Sequence, residues 1–143
     1  MNIIQIETVG GPRNGVRTVG VPTFETKNIV EIAIACYDNV TGTKHVKKIV
    51  GDYEKAIAEG LYGSPAAILP EIKKEDYCCK ILSVRATLIN DKLVIFGRVS
   101  MTDTKYGKAV RRMLAHPHGT VWGAPILKKV DGKTKLYMME IDI

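Results

Sequence analysis

The sequence predicts an α+β fold: a mainly antiparallel sheet built from β-hairpins, with two amphipathic helices packed on one face. Three observations predict it. Alternating or apolar runs are joined by two-residue turn signals at Asn90-Asp91 and Asp131-Gly132. Two segments, 53–61 and 106–114, place apolar residues at i, i+3, i+4, i+7 and i+8, the stripe of a half-buried helix. The chain has 143 residues, 45% hydrophobic and 25% charged, which suits a single domain over 1–143 with a real core.

Residues 2–8 alternate enough for a short strand. The segment 9–22, "VGGPRNGVRTVGVP", carries four glycines, two prolines and two arginines and is expected as a long loop over 10–27. In 28–38 Val30, Ile32, Ile34 and Cys36 share one face, as a strand requires. "DNVTG" then turns the chain, and "TKHVKKIV" (43–50) is expected as the returning, lysine-rich strand. The first helix is placed at 51–61, capped by Asp52 and stopped by Gly63 and Pro65. A helical turn is expected near 71–76 within the proline-bearing connector. Strands at 79–89 and 92–101 follow. The second helix starts at an Asp103 or Thr104 cap and ends at Pro117 and Gly119. A hairpin at 120–130 and 133–143 closes the chain.

This order suggests an internal ββα duplication, hairpin then helix at 29–61 and again at 80–114. "YEKAIAEGL" and "YGKAVRRML" align on Tyr, Lys, Ala and Leu.

The three cysteines, Cys36, Cys78 and Cys79, are odd in number and include an adjacent pair. They read as small buried thiols in a reducing compartment, and neighbours on a strand are expected to point to opposite faces. No apolar run reaches the roughly 20 residues of a membrane span. No basic stretch precedes the first apolar residues, as a signal peptide would need. A cytoplasmic protein without membrane partners is the expectation.

Net charge is +6, and its location carries more information than its size. The exposed positions of the first helix, Glu54, Lys55 and Glu59, are mixed and acidic. Those of the second, Lys105, Lys108, Arg111 and Arg112, are wholly basic. Four cations on adjacent turns repel one another, and partner anions relieve that repulsion. Arginine also suits forked contacts to phosphate. The helix runs into "HPHG", bringing His116 and His118, and Tyr106 and Trp122 are close in sequence and able to stack a base. "GGPRNGVR" adds Arg13 and Arg17 beside glycine amides able to form an anion nest.

These residues, Arg13, Arg17, Tyr106, Lys108, Arg111, Arg112, His116, His118 and Trp122, make up the expected ligand site. The leading reading is non-catalytic binding of a phosphorylated ligand, a nucleotide or nucleic acid. The second is an enzyme processing a phosphoester or nucleotide with His118 as acid or base. The third is a homo-oligomeric assembly subunit, motivated by the C-terminal strand, which is apolar on both faces. No cofactor and no metal are expected: His116-x-His118 has only His45 as a further histidine, and no Cys-x-x-Cys exists.

Overall fold

In a computed structural model, which describes residues 14–19, 22–67, 71–89 and 91–143, seven strands form one sheet. The strands are β1 (Val16–Val19), β2 (Ile29–Tyr37), β3 (Tyr62–Ser64), β4 (Cys79–Ile89), β5 (Lys92–Met101), β6 (Thr120–Val130) and β7 (Lys133–Asp142). Helix α1 spans Thr43–Glu59 and α2 spans Lys105–Ala115, and one 3-10 turn occupies Lys74–Asp76. The sheet order is β1-β6-β7-β3-β4-β5-β2. Every neighbouring pair is antiparallel except β3 and β7, so the fold is α+β with a mixed, mainly antiparallel sheet.

Two long hairpins form the body of the sheet. In β4–β5, Ile89 pairs with Lys92, and in β6–β7, Val130 pairs with Lys133. Asp131 and Gly132 have φ of 52° and 78°, the left-handed pair that a tight hairpin turn demands.

The sheet curls nearly into a barrel, bringing its two end strands together. The Cys36 amide donates to the Asn14 carbonyl at 3.3 Å, and the Thr18 hydroxyl donates to the Ala33 carbonyl at 3.2 Å. The strand β1 that makes this closure lies inside the segment expected as loop. Its Val16 and Thr18 are buried while Arg17 is exposed, a period-2 pattern that the neighbouring glycines conceal. The strand expected at 2–8 lies outside the described residues.

The stretch 43–50 is helix, not a returning strand. Val46, Ile49, Val50, Tyr53, Ala56 and Ile57 form one unbroken 3.6-period stripe, and all six pack in or against the core. Asp52 is therefore interior to α1 and does not cap it; its carboxylate pairs with Lys48 one turn earlier, at 3.2 Å. The helix starts instead at Gly42, with no side-chain cap and no acidic residue in its first turn. With strand followed directly by helix over 29–59, the first hairpin–helix unit of the expected duplication is not formed.

Tyr53 and Ala56 of α1 and Val110 and Leu114 of α2 join Ile32, Ile34, Ile81, Leu93, Ile95, Val121, Met139 and Ile141 in one buried cluster. Burial of such side chains contributes about 1.5–3 kcal/mol each and dominates the stability of the fold. Cys78 and Cys79 both belong to this cluster, with their sulfurs 3.9 Å apart. They do not diverge because Cys78 precedes the first residue of β4, where alternation begins. A smaller cluster of Val16, Ala33, Cys36, Val94 and Phe96 lies apart from the main one. The Arg85 guanidinium stacks 4.2 Å above the Phe96 ring and pairs with Glu31 at 2.6 Å. Among the described residues, no helix is long and apolar enough to cross a membrane.

Candidate functional site

Helix α2 is fixed at its start by a short polar network. The Thr104 hydroxyl accepts from the Gly107 amide at 3.0 Å, which satisfies one of the free N–H groups of the first turn. The same hydroxyl donates to the Tyr77 carbonyl at 2.5 Å, tying the helix to the connector before β4. Thr104, not Asp103, is thus the cap. Val110 and Leu114 are buried, and the opposite side carries Lys105, Lys108 and Arg112 into solvent.

The cations of α2 meet few opposing charges. Lys108 lies 3.6 Å from Asp103, a solvent-exposed pair that contributes little. Arg111 donates from Nη1 to the side-chain oxygen of Asn28 at 2.8 Å, a neutral partner that holds the guanidinium in place and leaves its charge uncompensated. The Lys105 ammonium sits 4.9 Å from the centre of the Tyr106 ring. Arg112, in the last turn, makes no ion pair among the described residues.

The chain after α2 is a tight turn rather than an open loop. The His116 amide donates to the Met113 carbonyl at 3.1 Å, and the Gly119 amide donates to the His116 carbonyl at 3.0 Å. His116 Nδ1 accepts from the His118 amide at 3.1 Å, so the backbone itself orients this imidazole. The two rings are 6.1 Å apart and both are exposed. Gly119 is required here because a Cβ would run into the Met113 carbonyl.

The expected site residues fall into two groups. Tyr106, Lys108, Arg111, Arg112, His116 and His118 share α2 and its terminal turn. Arg17 and Trp122 stand opposite one another across the β1–β6 ladder. Trp122 follows Val121, which packs in the core with Val110 and Leu114 of α2. Alternation along β6 therefore turns the indole to the other face, away from the helix. There it lies on Gly15, where a Cβ would come 2.6 Å from the indole nitrogen. Arg13 and the glycines of the expected anion nest, Gly10 and Gly11, lie outside the described residues. Among the described residues, no group of three or more His, Cys, Asp or Glu is arranged to hold a metal ion.

No family model, curated protein or solved structure matches this chain.

Two features escaped the sequence reading. A cleft of about 610 Å³ opens between α1 and the β6–β7 hairpin. Lys48, Asp52, Lys55 and Glu59 make one wall, of balanced charge, and Lys133 and Lys135 stand on the other, with Tyr37 and Tyr53 also lining the cleft. The two phenolic oxygens are 2.9 Å apart. Burial raises both phenol pKa values, Tyr53 well above the ordinary range, so both stay protonated near neutrality. The signal for this wall was the spacing of Lys48, Asp52, Lys55 and Glu59, which fall on one side of a helix only once 43–50 is part of it. The second feature is the charge on the far half of the β6–β7 hairpin, which carries four lysines and one acid, Asp131.

Proposed function

We propose that the protein binds a phosphorylated ligand, a nucleotide or nucleic acid, at the C-terminal end of α2, with Arg111, Arg112, His116 and His118 around the phosphate. The observation that carries this reading is the turn that fixes the His116 imidazole, with His118 next to it, at the end of a helix whose guanidiniums have no carboxylate partner among the described residues. Positioned donors lose little freedom when an anion arrives, and arginine forks match phosphate oxygens. Tyr106 and Lys108 border this site; Arg17 and Trp122 do not share it, and a base stacked on the indole would belong to a separate contact. Three reduced, buried thiols fit a cytoplasmic setting.

Native mass spectrometry of the protein with ADP tests the proposal. The expected result is a one-to-one complex that Arg112→Ala combined with His118→Ala removes. Absence of any complex with the unaltered protein contradicts it. Conversion of the added nucleotide, lost in His118→Ala, would make the protein an enzyme instead.

A further inference from the structure

We infer that the far half of the β6–β7 hairpin is a second, separate site, a contact surface for single-stranded nucleic acid. Lys128 and Lys135 are direct cross-strand partners. Like charges placed opposite one another on a ladder destabilise it. Two pairs nearer the turn, Val130 and Lys133 add a third ammonium on the same face. None of Lys128, Lys129, Lys133 and Lys135 makes an ion pair with a carboxylate among the described residues. A fold that concentrates unpaired cations on a projecting ribbon, at a cost in stability, is complementary to a polyanion.

The apolar groups on the ribbon narrow the partner. Tyr137 is 40% exposed with the Lys128 ammonium 4.9 Å from its ring centre. Leu127 and Val130 are 59% and 41% exposed. An aromatic ring interleaved with lysines binds unstacked bases and their phosphates together. A duplex hides its base faces and offers only groove edges.

This surface is remote from the α2 turn. Thr120 and Val130 bound β6, and ten strand steps span ~33 Å. A mononucleotide reaches only one of the two places. Failure of one proposal is therefore separable from failure of the other.

The test is fluorescence anisotropy with a labelled twelve-residue oligodeoxythymidine across a salt series, alongside the matching duplex and ADP. The double variant Lys128→Ala, Lys135→Ala is expected to flatten the slope of log affinity against log salt by about 1.4, at ~0.7 for each phosphate no longer neutralised. Tyr137→Ala is expected to weaken binding about tenfold. The pair Lys128→Arg, Lys135→Arg keeps binding, and a circular-dichroism melt confirms that each variant folds. ADP binding stays unchanged in all of them. The inference is overturned if the unaltered protein does not bind the oligomer, if the alanine double variant keeps both affinity and salt slope, or if the duplex binds as tightly as the single strand.

Discussion

Gly123 of β6 lies against the backbone of Ile34 in β2, so closely that a Cβ at position 123 would come 2.9 Å from the Ile34 carbonyl oxygen. This contact is where the sheet folds back on itself. The neighbour is backbone rather than a flexible side chain, so it cannot swing aside. Gly123→Ala is expected to destabilise the protein by about 1–3 kcal/mol, as overpacking does elsewhere. Urea unfolding measures it; an unchanged midpoint would mean that the two ends of the sheet are not held as described.

Gly51 presents the opposite case. It sits inside α1 with open space where its Cβ would be. Glycine in a helix interior costs about 1 kcal/mol relative to alanine. Gly51→Ala should raise stability by roughly that amount, read from thermal melts. A loss of stability would contradict a helix running through 43–50.

The three cysteines are fully or almost fully buried. The Cys78 thiol is held protonated, first by its contact with Cys79 and then by burial. Burial also raises the Cys36 thiol, helped by nearby Asp38. The native protein should resist a thiol-reactive dye at neutral pH, and all three groups should react once denaturant is added. Fast labelling of the native state would show that this part of the core opens readily.

Glu25 and Arg98 form a forked pair, both contacts at 2.6 Å. The guanidinium hydrogen bonds lower the Glu25 carboxyl below its usual 4.5, against a smaller opposing effect of desolvation. A carboxyl depressed in the folded state stabilises it above the unfolded value and loses that contribution as pH falls through the folded value. The stability advantage over Glu25→Gln should therefore be present at neutral pH and fade below about pH 4.5. Both groups are about half exposed, so the difference is small. An advantage that grew on acidification would have the wrong sign.

The parts of the fold that were legible in the sequence are those with local signals. The Asp131-Gly132 turn demands left-handed backbone, and the strands on each side of it run through eleven and ten residues. The stripe of α2 and its Thr104 cap are equally local. The misreading of 43–50 came from β-branched Val46, Ile49 and Val50 and from Gly51, all weak helix formers overridden by core packing. That error also made the exposed face of α1 look acidic, when Lys44, Lys47 and Lys48 make its first half basic. The C-terminal strand is apolar on both faces because β7 lies between β6 and β3 within the subunit, which removes its motive for pairing with a second copy. In the candidate site, the sequence brought the arginines and histidines to one helix end. It did not reveal that Trp122 faces away, because that depends on the parity of β6 relative to Val121. Likewise, the opposition of Lys128 and Lys135 is a matter of register, shifted by the irregularity between Ile126 and Leu127.

The most direct measurement of the phosphate-binding claim is a heteronuclear NMR titration of the protein with AMP. Saturable shifts should concentrate on the Arg112 side chain, the His116 and His118 imidazoles and the Gly119 amide, and Arg112→Ala should weaken them about tenfold or more. Saturable shifts located only elsewhere, or none at millimolar AMP, would contradict it.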